Sequence, residues 1–235
     1  MQSKFIIAHR GAPRQARENT LEAFEIAINC GADAIELDVR KTKDNVLVCF
    51  HNATISRRLI RKLNVTDLNA LAERLGFTVP TLKEALKLIS GKVRVYIEIK
   101  EKDCGEQVAQ IALGILSPKD FAIISFHHEP LQIIRRFYPN VLVGMHLGMR
   151  YRTLSQIAVL LRQKKILNFI DFFLPHVWLW KSKFGNIIPK KFPFVIWTVD
   201  RPSIIKKALA DDRVVGIITN FPDRALSLRN KIYAK

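Results

Sequence analysis

The sequence has little of what small secreted proteins and membrane proteins depend on. It contains only 3 cysteines in 235 residues, too few for a disulfide framework and without metal-type spacing. It has no uncharged apolar run of about 18 residues, so no membrane-spanning helix is predicted. The apolar run before His9 is too short for the core of a signal peptide. These absences predict a cytoplasmic protein in a reducing compartment.

Acidic residues are also few compared with basic ones. Asp and Glu number 21 against 38 Lys and Arg, and the formal net charge is +17. The excess is concentrated in Arg150–Lys191, which holds nine cations and one acid, Asp171. Such a region attracts nucleic acid, anionic lipid or phosphorylated substrates, although a solvated basic surface that aids solubility explains it equally well. Because no nucleic-acid-binding motif accompanies it, we expect no specific nucleic-acid partner.

One segment of this basic region also carries exposed-type aromatics. Trp178 and Trp180 lie among lysines in residues 175–184. Aromatic rings flanked by lysines are typical of interfacial anchors, and they predict peripheral contact with an anionic membrane, at its inner face. The alternative is a lid that packs on its neighbours.

Short apolar, β-rich runs alternate with stretches of helical periodicity along the whole chain. Leu21, Phe24 and Ile28 illustrate the helical spacing, with Thr20 as a helix start and Gly31 as a stop. The eight runs are Phe5–Ala8, Ala34–Val39, Val93–Ile99, Phe121–Phe126, Val141–Met145, Phe169–Leu174, Phe194–Val199 and Val214–Thr219. This alternation predicts a closed (β/α)₈ TIM barrel in preference to an open sheet. We expect a single domain over 1–235, with a small insertion at about 52–90 between the second and third barrel strands.

Two acidic residues share one face of the second predicted strand. Side chains alternate along a strand, so Glu36 and Asp38 point the same way, and Glu98 points inward from the third strand. Unpaired carboxylates that lie close together repel one another and resist burial. A hard cation with oxygen ligands removes both problems, so the sequence predicts one divalent cation, Mg²⁺ or Ca²⁺.

Other polar residues fall at or just beyond predicted strand ends, where the active sites of barrels lie. Arg10 and Lys100 can attract phosphate oxygens. His9 and His51 can act as general base and general acid near neutral pH. Together with a metal, these groups predict displacement at a phosphoryl centre, and a small-molecule phosphodiester as substrate.

These residues and several motifs resemble those of glycerophosphodiester phosphodiesterases, over Phe5 to about Leu226. The motifs are His9-Arg10-Gly11, Glu18-Asn19-Thr20, Gly31-Ala32-Asp33, Glu36-Leu37-Asp38-Val39, Thr42-Lys43-Asp44, His51, Pro80-Thr81-Leu82, Glu98-Ile99-Lys100, Trp197-Thr198-Val199 and Thr219-Asn220-Phe221-Pro222-Asp223. The resemblance implies a (β/α)₈ barrel that uses a divalent cation to hydrolyse glycerophosphodiesters to glycerol 3-phosphate and an alcohol. It also implies a cyclic phosphate intermediate, formed by attack of the substrate's own glycerol hydroxyl.

By the same resemblance, the metal positions fall on Glu36, Asp38 and Glu98, the acid–base positions on His9 and His51, and the phosphate position on Arg10. Lys100 is a candidate substrate-binding residue because of its charge. Trp197 either packs against the glycerol carbons of the substrate, as its family counterpart does, or only fills the top of the barrel. The chain departs from the family pattern at Arg17, Asn52 and Asn220, and the loss of a carboxylate at Asn52 is expected to lower the basicity of His51. Two alternatives stay open: a lysophospholipase D-like enzyme working at a membrane surface, and a non-catalytic anion-binding barrel.

Overall fold

The computed structural model describes residues 4–148, 154–163, 165–182 and 187–233. The strands are β1 Phe5–His9, β2 Ala34–Lys41, β3 Leu47–Cys49, β4 Thr54–Ile55, β5 Arg58–Leu59, β6 Arg94–Ile99, β7 Phe121–Ser125, β8 Leu142–Leu147, β9 Phe172–Pro175, β10 Phe194–Ile196 and β11 Val214–Thr219. The helices are α1 Leu21–Asn29, α2 Val65–Glu73, α3 Leu82–Ile89, α4 Gly105–Leu113, α5 His128–Phe137, α6 Leu154–Gln163, α7 Val177–Lys181, α8 Pro202–Ala210 and α9 Pro222–Tyr233. Within these ranges, no helix is both long enough and apolar enough to cross a membrane.

Eight of the strands are parallel and close on themselves. They follow the order β1, β11, β10, β9, β8, β7, β6, β2, and β2 pairs again with β1. Helices alternate with the barrel strands along the chain and pack outside them. The predicted (β/α)₈ barrel is confirmed.

Two apolar layers follow from the alternation of side chains along each strand. Inward-facing residues such as Ile7, Ile124 and Leu174 fill the barrel. Outward-facing residues such as Leu37 and Val143 pack against the helices in a larger cluster. The barrel is therefore filled with side chains below the level of its polar mouth.

The connection from β2 to β6 contains a small subdomain of its own. Here β3 runs antiparallel to β2, and β4 and β5 form a separate hairpin. Its apolar cluster is distinct from the two barrel layers and consists of Val48, Phe50, Ile55, Ile60, Leu63, Leu68, Ala72 and Val79. In contrast, α3 contributes Leu82 and Leu86 to the outer barrel layer and contacts α1 and α4. A capping box between Thr81 and Glu84 begins that helix.

Two barrel strands differ from their apolar runs by three residues at one end. The sixth begins at Phe172 and not at Phe169, because residues 166–168 form a 3₁₀ turn. The seventh ends at Ile196, so Trp197 and Val199 belong to the loop that follows. Apolar character alone does not separate a strand from the buried turn beside it.

Candidate active site

Three carboxylates meet at the mouth of the barrel. Glu36 and Asp38 point inward from β2, and the parallel register pairs Asp38 with Glu98 on β6. One ligand oxygen from each of the three lies within 4.8 Å of the others. Their residues are only 1%, 0% and 5% exposed. The structure thus brings together the three predicted metal-binding residues.

Two cations lie against these carboxylates. Arg10 Nε is 3.1 Å from Asp38 Oδ2, and its backbone amide donates to Glu36 Oε2 at 3.1 Å. Lys100 Nζ lies 2.8 Å from Asp38 Oδ1 and also contacts Glu98. When all three carboxylates are ionised, they outnumber the two cations by one. The mouth is therefore short of positive charge for an anionic substrate.

A tight turn after β1 places Arg10 there. Arg10 and Gly11 both have positive φ, 57° and 88°. A Cβ atom on Gly11 would come within 2.6 Å of the Ala23 carbonyl, so only glycine lets the turn pack on α1. Arg10 is then held by Glu18, whose two carboxylate oxygens accept from Nη1 at 3.0 and 2.9 Å.

The surroundings of the carboxylates move their pKa values apart. Burial raises the pKa of Glu36 well above its usual value, and the nearby Asp38 and Glu98 raise it further. Burial likewise raises the pKa of Glu98, although Lys100 opposes the rise. Burial acts in the same direction on Asp38, but Lys100 and Arg10 outweigh it and lower its pKa. Asp38 is therefore ionised near neutral pH, whereas Glu36 resists ionisation.

The donor set suits a hard divalent cation. Three buried carboxylates within 4.8 Å of one another offer oxygen ligands of the kind that Mg²⁺ and Ca²⁺ prefer. A bound cation would also compensate the repulsion that raises the pKa of Glu36. The residues present therefore fit the metal that the sequence predicts.

Both candidate histidines lie beside this cluster. His9 ends β1, and its Nε2 is 4.0 Å from Glu36 Oε2 while Nδ1 is 2.7 Å from Asn220 Oδ1. Burial lowers the pKa of His9, and Arg10 adds to the effect, so the ring is neutral near neutral pH. His51 lies at the entry to the insertion, with Nδ1 2.9 Å from Oδ1 of the exposed Asn52.

A family model, the glycerophosphoryl diester phosphodiesterase family, matches residues 9–224. The chain belongs to this family. A glycerophosphodiester phosphodiesterase of Caldanaerobacter subterraneus subsp. tengcongensis is 29% identical over 244 residues, which covers 96% of this chain and 98% of the relative. Another, from Bacillus altitudinis, is 28% identical over 259 residues, or 97% and 98% of the two chains. The predicted family and the predicted class of enzyme are confirmed.

Solved structures show the same barrel. A glycerophosphodiester phosphodiesterase from Thermotoga maritima has a TM-score of 0.79 at 24% identity, covering 97% of this chain and 99% of its own. A phosphodiesterase from Oleispira antarctica, in complex with the product sn-glycerol-3-phosphate, has a TM-score of 0.78 at 21% identity and covers 96% of both chains. At these identities the likeness shows the fold.

In this member of the glycerophosphodiester phosphodiesterase family, aromatic rings line the other side of the mouth. The Trp197 ring lies 5.5 Å from Phe126, 5.1 Å from His146 and 4.9 Å from His176, centroid to centroid. Trp197 Nε1 donates to the Leu174 carbonyl at 2.7 Å, which fixes the indole. The predicted substrate residue Trp197 is thus at the mouth, across from the carboxylates.

The fold places two further residues in the site, neither of which was predicted as a site residue. Asn19 donates to Asp38 Oδ2 at 2.8 Å and accepts from the Asp38 amide at 3.1 Å. His146 is 2% exposed and stacks on Phe126, with Nε2 3.4 Å from Glu98 Oε2. Neither ring nitrogen of His146 makes a hydrogen bond with any described residue. Its signal was the inward alternation of β8, a strand that continues to Leu147, two residues past the predicted end at Met145.

The aromatic segment in the basic region divides into two different tryptophans. Trp178 on α7 is 73% exposed. Trp180 instead packs on the outer core and donates from Nε1 to Asp211 Oδ2 at 2.8 Å. Of these two tryptophans, Trp178 is the one exposed enough to meet another surface. Residues 183–186, with Lys183 and Phe184, lie outside the described residues, as do Arg150, Arg152 and Lys164.

Proposed function

We propose that this enzyme hydrolyses glycerophosphodiesters to glycerol 3-phosphate and an alcohol, with one divalent cation held by Glu36, Asp38 and Glu98. The observation that carries the proposal is the buried carboxylate cluster with a histidine at its edge, in a chain of this family. The product seen in the Oleispira antarctica structure and the names of the relatives support the substrate class. When bound, the cation would supply positive charge for the phosphate oxygens.

The chain's own residues have separate tasks in this proposal. Arg10 and Lys100 add positive charge beside the phosphate position. His9 Nε2 accepts the proton of the attacking glycerol hydroxyl while its oxygen bonds to phosphorus. His51 gives a proton to the departing alcohol oxygen as the old phosphorus–oxygen bond breaks. Water then opens the cyclic phosphate with the two histidines in reversed roles.

Choline release from glycerophosphocholine tests the proposal. The purified protein is treated with excess chelator, and Mg²⁺ or Ca²⁺ is then restored in separate assays. We expect activity to vanish with chelator and to return with one or both cations. Full activity in excess chelator would rule out the metal, and no activity under any of these conditions would rule out the substrate class.

The predicted membrane contact and the alternative lysophospholipid substrate both depend on residues at the protein surface. The exposed Trp178 supports a peripheral contact with anionic membrane, and with it the alternative substrate, a lysophospholipid. Choline release from lysophosphatidylcholine, compared with glycerophosphocholine, separates the two substrates. The cytoplasmic location stays a prediction from composition.

A further inference from the structure

A chain of hydrogen bonds connects His9 to the loop after the seventh barrel strand. The parallel register pairs Ala8 with Thr219, so the next residues on each strand, His9 and Asn220, lie side by side. Asn220 then contacts Asp200, which follows β10. Neither Asp200 nor a polar link through it was predicted from the sequence.

The direction of each bond in this chain is determined by chemistry. An ionised carboxylate only accepts hydrogen bonds, so the end of the Asn220 side chain that faces Asp200 must be its amide nitrogen. Asn220 Nδ2 donates to Asp200 Oδ2 at 2.7 Å, and the Asn220 backbone amide donates to Oδ1 at 2.9 Å. The amide oxygen, Oδ1, therefore faces His9 Nδ1 at 2.7 Å. An amide oxygen accepts, so Nδ1 carries the proton.

The hydroxyl of Thr219 supports the same assignment of donors and acceptors around Asp200. Thr219 Oγ1 accepts from the Phe221 amide at 3.2 Å and lies 3.1 Å from Asp200 Oδ1. Because an ionised carboxylate only accepts, the hydroxyl donates its own hydrogen to Asp200 Oδ1. Asp200 thus accepts three hydrogen bonds and keeps the Asn220 amide from rotating.

The second candidate histidine, His51, differs from His9 in how its asparagine partner is held. His51 Nδ1 also faces an asparagine oxygen, that of Asn52, at 2.9 Å. Asn52 is exposed, and its side chain has no second hydrogen bond in the part of the chain that the structure describes. Either end of that amide can face the ring, so nothing fixes which nitrogen of His51 holds the proton.

We propose that Asn220 and Asp200 are positioning residues that fix the tautomer of His9. With the proton held on Nδ1, the lone pair is on Nε2, the nitrogen that faces the carboxylate cluster at 4.0 Å from Glu36 Oε2. His9 is then ready to accept a proton from the substrate without first exchanging its own. The tautomer of His9 is inferred from the geometry alone. Its role in accepting a proton from the substrate rests on the proposed function.

Nitrogen NMR of the ¹⁵N-labelled full-length, metal-free protein tests the tautomer without any substrate. At mildly alkaline pH the imidazole is neutral, and the His9 signals are assigned by their loss in His9→Gln. We expect a pyrrole-type Nδ1 and a pyridine-type Nε2. The same spectrum is expected for Asn52→Ala, the matched control at the other histidine. A wild-type His9 with its proton on Nε2 overturns the proposal, whatever the activity assays show.

A pair of variants tests the role of Asp200. Asp200→Asn allows the Asn220 amide to rotate, so we expect mixed His9 tautomers and a loss of about fivefold to tenfold in kcat, the worth of one neutral hydrogen bond, at unchanged KM. The double variant Asp200→Asn/Asn220→Asp exchanges the two side chains, so Asn at 200 now donates to Asp at 220, and the carboxylate at 220 still accepts from His9 Nδ1. We therefore expect it to restore both the spectrum and kcat. An Asp200→Asn protein with a single Nδ1–H tautomer and full kcat overturns the proposal. If Asp200→Asn does not fold, the wild-type spectrum still tests whether the proton of His9 is on Nδ1.

Discussion

The mouth of the barrel has two unlike halves. The polar half consists of His9, Arg10, Glu36, Asp38, Glu98 and Lys100, and the aromatic half consists of Phe126, His146, His176 and Trp197. In the polar half, ion pairs and hydrogen bonds fix the charged side chains. In the aromatic half, Phe126 stacks on His146, and Trp197 makes edge-to-face contacts with Phe126, His146 and His176. His146 has no hydrogen-bond partner among the described residues. Under the proposed function, the polar half would stabilise the reacting phosphate, and the aromatic half would shape the space for the rest of the substrate.

The largest expected effect comes from removing one charge in the polar half. Glu36→Gln keeps the shape of the side chain but removes one of the three carboxylates proposed to bind the cation. We expect activity to fall about 10³-fold, several kcal/mol of transition-state stabilisation. The exposed Glu25→Gln is the matched control. Activity of Glu36→Gln within tenfold of wild type would contradict the metal assignment.

The same substitution is expected to stabilise the metal-free fold. Because the folded protein raises the pKa of Glu36, it holds a proton that the unfolded chain releases above a pH of about 4.3. The stability of the wild type therefore falls as the pH rises from there toward the raised pKa. The gain in Tm of Glu36→Gln should grow with pH in thermal melts with chelator present.

The second-largest effect is expected from the two histidines, whose removal should lower activity without unfolding the protein. His9→Ala and His51→Ala are each expected to lower kcat about 10²-fold or more, the usual contribution of a positioned acid or base. Circular dichroism should show an intact fold, and His128→Ala on α5 is the control. Losses well below that size in both variants would show that this pair does not transfer protons.

In the aromatic half, we expect effects on KM and not on kcat. Trp197→Phe keeps an aromatic ring but removes the hydrogen bond to Leu174 and part of the contact surface. We predict a KM about threefold to tenfold higher, as one hydrogen bond is worth about 1 kcal/mol, with kcat nearly unchanged. A fall in kcat at constant KM would place Trp197 functionally with the polar half.

His146, also in the aromatic half, is expected to lower the free energy of unfolding of the protein. Burial lowers its pKa well below the usual value. Its ring nitrogens make no hydrogen bond within the described ranges, although Nε2 lies 3.4 Å from Glu98 Oε2. His146→Leu should stabilise the metal-free protein by about 1 kcal/mol. The unfolded chain binds a proton below a pH of about 6.5 and the folded state does not, so the gain should increase in acid. Denaturant unfolding at two pH values measures it, and a destabilised variant would show that the contacts of His146 with Glu98 and Phe126 outweigh the cost of its burial.

The smallest effect is expected outside the mouth. Trp178→Ala should weaken co-sedimentation with anionic vesicles by a few-fold without changing activity on a water-soluble substrate, because an exposed indole adds modest interfacial affinity. Trp180→Ala should instead lower Tm, since it loses core contacts and the bond to Asp211. Equal binding by wild type and Trp178→Ala would leave a purely electrostatic contact.

Much of the fold and of the polar half could be predicted because local rules govern them. Strand alternation placed Glu36 and Asp38 on one face, and the βα repeat placed their strand in a barrel. The partners of the site could not be predicted in the same way. The contact of Asp200 with Asn220 and of His146 with Glu98 depends on which strands become neighbours and at what register. Strand neighbours and their register are properties of the tertiary structure, and a local sequence pattern does not predict them.

The separate apolar cluster of the insertion has a consequence for motion. An element with its own small core opens at a lower free energy than the barrel it joins, so amides of α2 should exchange with solvent faster than those of α1. His51 stands where this element leaves the barrel, whereas His9 ends a barrel strand. The two histidines therefore belong to parts of the molecule with different rigidity. Their separation, and with it the turnover rate, would then fluctuate with the opening of the insertion.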